Sequence, residues 1–315
     1  MITWKELSVS PEEEALAREI IESGAGKKLP EEKLYEFQTG EEHSLEIETR
    51  AGKTHVNFYL PLGEKENLPL YINIHGGGFI KGMRDQDYVF CRNICSRAGV
   101  AVADIDYVPA PHMRYPGQVY ACYDVLQYFA QNTAKWNLDR EKIAVGGHSA
   151  GGNLAAAIIL MAIHENAFVP ALQILDYPGL ELHIPAGKKR NGNSNPRIPS
   201  WKADFYNKMY ADSELRQEIY CSPELAPDTL LAQMPPTLIM YCENDTFCDE
   251  DARFHMRLLK QGVPVYGKRF LNSNHGFVVQ RVGEYEIADG LSKDDCIAYP
   301  SDILEEGMST TTNIE

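Results

Sequence analysis

From Leu70 onward the chain repeats one local pattern: a short, nearly continuous apolar run followed by a longer segment with helical spacing. The runs fall at 70–74, 100–105, 142–146, 171–176 and 237–242, and the helical segments at 86–97, 117–133, 150–165 and 248–261. A strand reads as continuously apolar when both its faces are covered, because polar alternation is needed only where one face meets water. Alternating strands and helices of this kind predict an α/β fold: a mainly parallel sheet with helices on both faces. Ahead of it, Leu45 and Ile47, then Val56, Phe58 and Leu60, alternate around Ala51-Gly52-Lys53 and predict an antiparallel hairpin at one sheet edge. Val263-Pro264-Val265-Tyr266 reads as the last strand. Near the amino terminus, Ser10-Pro11-Glu12-Glu13 has the form of a capping box and opens a helix to Ser23, ended by Gly24.

The 315 residues suffice for one large α/β domain with insertions or for two small ones. A net charge of −15 argues against partners that are nucleic acids or anionic membranes. No stretch approaches the ~18 apolar residues of a spanning helix, and Met1 to Glu6 has no basic region followed by an apolar run, so neither membrane insertion nor a secretory signal is expected. The seven cysteines form no CxxC pair with metal spacing. Reduced thiols in a cytoplasmic protein, with no metal, is the plain expectation.

Between 178 and 215 the periodicity breaks, with seven Pro and Gly residues followed by Trp201, Phe205, Tyr206 and Tyr210. The stretch is too long for an ordinary loop. Its Pro, Gly and Asn content suits a disordered insertion, whereas its aromatic cluster favours a partly folded cap over an active-site mouth.

The chemistry concentrates at four strand ends. Gly147-His148-Ser149-Ala150-Gly151 follows the run ending near Gly146 and precedes an apolar helix. A sharp strand–turn–helix bend exposes and aims a serine hydroxyl, and small flanking residues let the backbone pass close by. The same five residues could also be a glycine-rich turn capping a buried helix. His75-Gly76-Gly77-Gly78-Phe79 follows another strand, and its glycines let N–H groups approach a developing oxyanion. Gly77, Gly78 and Ala150 are the candidate donors; a phosphate-cradling loop is the alternative, although Walker and GxGxxG patterns are absent. Asp245, with Glu243 as fallback, follows the strand at 237–242, where an α/β sheet presents catalytic groups. Asp249, Glu250 and Asp251 fit better as first-turn acids of the next helix. His275 lies in a loop after the last strand, outside any helical stripe. The chain order Ser149, Asp245, His275 is that of α/β-hydrolases.

On these pieces the sequence resembles the hormone-sensitive-lipase-like group of α/β-hydrolase esterases. The resemblance rests on His75 to Phe79, Asp106-Tyr107 with Ala110-Pro111 and Pro116, Gly147 to Ala155, Ser222-Pro223 with Leu225-Ala226, Asp245 with Asp249-Glu250, Gly262 to Val265, and His275-Gly276-Phe277, and it spans roughly residues 70–280. It implies a carboxylic-ester hydrolase preferring short acyl chains, with a cap built from the amino-terminal helices and an insertion. The corresponding division is an amino-terminal cap segment (1–40), a core (41–177 and 216–290), a cap insertion (178–215) and an atypical tail (291–315). Three departures stand out. Val108-Pro109 stands where the family often has Arg-Leu, and His112 where it often has Glu, so both charges are missing together. His148 stands where Asp is common before the nucleophile, and reads as a structural partner. Ser292 to Glu315 lacks the usual terminal amphipathic helix, so the tail is either disordered or covers the core or a neighbouring subunit.

The expected function is therefore a serine carboxylesterase without a cofactor, acting on a small-molecule ester. An amidase or arylformamidase with the same triad, and a non-catalytic small-molecule binder on the same fold, are the alternatives. A homodimer is left open, as are the acyl and alcohol groups of the substrate.

Overall fold

The computed structural model describes residues 9–24, 28–63, 66–190, 198–279 and Leu304. The order of elements is α1 (Pro11–Gly24), α2 (Glu31–Leu34), β1 (Glu42–Thr49), β2 (Gly52–Tyr59), β3 (Leu68–Ile74), α3 (Asp85–Ala98) and β4 (Ala101–Asp106). There follow α4 (Gly117–Gln131), α5 (Thr133–Trp136), β5 (Leu138–His148), α6 (Ala150–His164) and β6 (Leu172–Asp176). The last third holds α7 (Ser200–Tyr210), α8 (Asp228–Leu231), β7 (Thr237–Asn244), α9 (Cys248–Lys260) and β8 (Val265–Asn274).

The eight strands form one sheet in the order β1-β2-β4-β3-β5-β6-β7-β8. β1 and β2 pair antiparallel, β2 joins β4 antiparallel, and all later pairings are parallel. This is the mainly parallel sheet with a leading hairpin that the periodicity predicts. The central strands are buried almost throughout, and α6 is buried from Ala150 to Ile163, so helix and strands share one continuous core. The capping box at α1 also forms: the Ser10 amide donates to Glu13 Oε2 at 2.8 Å, and the Glu13 amide to Ser10 Oγ at 3.2 Å.

A seam without side chains joins the end of β3 to the start of α6. A Cβ on Gly151 would lie 1.9 Å from the Ile74 carbonyl oxygen, and one on Gly76 would lie 2.7 Å from the His148 carbonyl oxygen. Backbone, unlike a flexible side chain, cannot step aside. Gly151→Ala is expected to cost about 3 kcal/mol of stability, at the upper end of ordinary overpacking. The check is a lower urea midpoint with an unchanged slope.

Three boundaries differ from the sequence reading. β8 begins at Val265 rather than Val263 and runs on to Asn274; being an edge strand, it buries only Phe270 and Ser273, which leaves too little apolar periodicity to read. β5 starts at Leu138, paired with Leu68 across an irregularity in register. Within 178–215, Ser200–Tyr210 forms the helix α7. It buries Phe205, Tyr206 and Met209 with Ala17 and Ile20 of α1 and with Ile80 and Ala110 from loops after β3 and β4. An ion pair between Lys208 Nζ and Glu13 Oε1 at 2.6 Å links the two helices, and the Arg114 guanidinium donates to the Lys208 and Met209 carbonyls at the end of α7.

Of the tail at 291–315, only Leu304 is described; it is buried in a cluster with Phe270 and Phe277. The six described cysteines are buried and none is in a disulfide, and Cys296 lies outside the described residues. Among the described residues no helix is long and apolar enough to cross a membrane.

Candidate active site

Ser149 is the single residue between β5 and α6. Its φ of 56° and ψ of −114° place a non-glycine residue in strained backbone, at a cost of about 1–3 kcal/mol that the surroundings must offset. Two hydrogen bonds contribute: the Ser149 amide donates to the Asp176 carbonyl at 2.8 Å, and the Ser149 carbonyl accepts from the Asn153 amide at 3.1 Å.

The side chains of the other two strand ends meet the Ser149 hydroxyl. His275, just beyond β8, places Nε2 2.7 Å from Ser149 Oγ. Asp245, just beyond β7, places Oδ2 2.6 Å from His275 Nδ1. Asp245 is fully buried and His275 is 5% exposed. The imidazole is walled by Tyr177 and Phe247, whose ring centroids lie 4.9 and 5.4 Å away at steep angles. Glu243 points elsewhere, to the Arg269 guanidinium at 2.9 Å and the Asn272 amide at 2.7 Å. A hydroxyl, an imidazole and a carboxylate in line can activate the hydroxyl oxygen as a nucleophile.

A family described as the alpha/beta hydrolase fold matches residues 71–279, about two thirds of the chain, from within β3 to beyond His275.

The chain belongs to the alpha/beta-hydrolase family.

A protein of Acanthamoeba polyphaga mimivirus named as an alpha/beta hydrolase is 30% identical over 220 residues, which are 70% of this chain and 64% of that protein. An arylesterase of Saccharolobus solfataricus is 28% identical over 244 residues, covering 76% of this chain and 78% of its own. Among solved structures, a hyperthermophilic esterase from the archaeon Pyrobaculum calidifontis superposes with a TM-score of 0.79 at 26% identity, with 93% of each chain covered.

In this alpha/beta hydrolase a cavity of about 350 Å³, counting its open mouth, sits over Ser149. Gly78 and Ala150 line it beside the serine; Gly77 is not among its lining residues. Gly77 and Gly78 have φ of 129° and 63°, which side-chain-bearing residues rarely adopt. A Cβ on Gly78 would meet the Tyr206 ring at 2.3 Å, so α7 packs directly on this loop. The loop is also held by Gln118, whose amide nitrogen donates to the carbonyls of Phe79 and Met113. Below it, His75 stacks on Tyr107 at 4.2 Å, 4° from parallel. Burial lowers the His75 pKa, keeping that ring neutral. Burial also pushes the Lys81 ammonium down to about 8, with Lys202 and Arg84 adding to the effect.

Three supporting residues lie beyond what periodicity can show. His148 Nδ1 sits 2.8 Å from Asp176 Oδ2, both side chains buried, directly behind the bend; the partner follows only from the register that sets His148 opposite Asp176. Glu250 is not merely a first-turn acid. It is fully buried, accepts the Leu180 and Glu181 amides at 2.7 and 3.1 Å, and pairs with Lys189. Burial raises the Glu250 pKa while Lys189 opposes the rise. Asn153 donates to the carbonyls of Gly179 and Cys221 and so ties α6 to the start of the irregular stretch and to the chain just beyond its end. Among the described residues no group of three or more His, Cys, Asp or Glu could hold a metal ion.

Proposed function

We propose that this alpha/beta hydrolase is a serine carboxylesterase acting on short-chain esters through an acyl-enzyme. The observation that carries the reading is the unbroken pair of contacts from Ser149 Oγ to His275 at 2.7 Å and from His275 to Asp245 at 2.6 Å. The esterases among its relatives support the ester bond as substrate, and a small cavity favours small acyl groups.

In this reading His275 Nε2 takes the proton as Ser149 Oγ attacks the ester carbonyl carbon. Asp245 holds the proton on Nδ1, leaving Nε2 unprotonated and able to accept, and stabilises the imidazolium that forms. The N–H groups of Gly77, Gly78 and Ala150 hold the carbonyl oxygen as it becomes negative. The imidazolium then protonates the leaving alkoxide, and His275 activates the water that releases the acid. Helices α1 and α7 serve as the cap over this cavity.

Incubation of the purified protein with a short p-nitrophenyl ester, and separately with a fluorophosphonate, tests the reading. Steady turnover and one covalent adduct on Ser149, located by mass spectrometry, are expected. Absence of both would overturn it. The donor assignment has its own test. Gly78→Ala forces a Cβ into the Tyr206 ring at an unfavourable φ, and is expected to lower kcat about 100-fold, the usual effect of losing one oxyanion donor, while Ser149 still reacts with the fluorophosphonate.

A further inference from the structure

On α7, Ala203, Tyr206 and Asn207 are spaced i, i+3, i+4 and therefore share one helix face. All three line the cavity over Ser149. The rest of that wall is largely apolar, from Phe79, Leu182, Ile198 and Phe247. Asn207 is the exception. Its residue is 7% exposed, and among the described residues its side-chain amide has no hydrogen-bond partner; its backbone lies in the α7 ladder, with its carbonyl accepting from the Ala211 amide. Buried amides in proteins are nearly always paired. An unpaired amide in the lining of a cavity is satisfied by water while the site is empty. A bound ester displaces that water. An apolar substrate group then leaves both N–H donors and the carbonyl of Asn207 unpaired, whereas a group bearing oxygen replaces the lost hydrogen bonds.

We infer that Asn207 is a specificity-determining residue that selects esters carrying a second oxygen, an ether or hydroxyl beyond the ester group, in the part of the substrate lying between α7 and Ser149. The inference rests on the esterase reading and deepens it: the preferred substrates are small oxygenated esters rather than simple alkyl ones. The oxygen belongs either to the acyl or to the alcohol portion, and the chemistry that recognises it is the same.

The test uses two pairs of esters differing by one CH₂-to-O exchange. p-Nitrophenyl butyrate and p-nitrophenyl methoxyacetate vary the acyl side; butyl acetate and 2-methoxyethyl acetate vary the alcohol side. For each pair the ratio of kcat/KM, oxygen over carbon, is measured with the wild type and with Asn207→Leu, so that the intrinsic reactivities of the esters cancel between the two proteins. In one pair the ratio is expected to fall about tenfold in the variant, the effect of one neutral hydrogen bond, and the pair that responds identifies the side. Stoichiometric fluorophosphonate labelling shows that the variant's site is assembled; should Asn207→Leu fail that check, Asn207→Ala replaces it. Unchanged ratios in both pairs, in a variant that labels fully, overturn the role of Asn207. Absence of turnover by the wild type overturns instead the esterase reading, and this inference with it.

Discussion

Ser149→Ala is expected to lose on the order of 10⁶ in kcat toward a short p-nitrophenyl ester, as happens when a triad loses its nucleophile. The structure makes the substitution mild for the fold. The bend is held by the Ser149 backbone amide and carbonyl, with Asp176 and Asn153 as partners, and alanine keeps both. What disappears is the hydroxyl oxygen 2.7 Å from His275 Nε2. The imidazole would be left to act on water, and the proposed oxyanion donors alone are expected to give a residual rate above the uncatalysed one. His275→Ala is expected to fall to a similar floor, and the double variant no lower, because the pair acts as a unit. Steady-state kinetics beside a thermal melt check this; a single variant within tenfold of wild type, melting normally, would end the nucleophile assignment.

Asp245→Asn is expected to lower kcat by about 10⁴ near neutral pH with the melt little changed. The exchange is isosteric at a fully buried site. Asp245 Oδ1 accepts the Phe247 amide at 3.3 Å while Oδ2 faces His275 Nδ1. In the variant the amide oxygen keeps the Phe247 bond, so the NH₂ turns toward His275. Nδ1 must then accept, the ring proton moves to Nε2, and the atom that should take the serine proton already carries one. The measurement is kcat against KM, with the loss confined mainly to kcat. A loss of less than about tenfold would show that another group orients the imidazole; Glu243 is the nearest acid in sequence, although Arg269 and the Asn272 amide already engage it.

The parts of the structure that the sequence discloses share a physical property: they are repeated or local. Strands buried on both faces, such as Leu70 to Ile74, carry their own signature, and the capping box at Ser10 and Glu13 is complete within four residues. Ser149, Asp245 and His275 stand out because each follows a readable strand, although their separations of 2.6 and 2.7 Å come only from the fold. What stays hidden is set across the chain. β8 reads poorly because water covers much of it. α7 mixes aromatic and polar residues since it packs against a helix nearly 200 positions away. The buried pairs of Glu250 with Lys189 and of His148 with Asp176 depend on which segments the sheet order brings together.

The seam at Gly76 and Gly151 bears on how the molecule meets heat. There the bend at Ser149 and the glycine loop approach so closely that a Cβ on Gly76 or Gly151 would run into the His148 or Ile74 carbonyl oxygen, a contact set by atomic radii rather than by charge. The contact of α1 with α7 is of another kind: a modest apolar cluster and one ion pair whose side chains are 43% and 31% exposed, interactions sensitive to warming or added salt. Heating or added salt is therefore expected to loosen the packing of α1 on α7 before it disturbs the seam at Gly76 and Gly151.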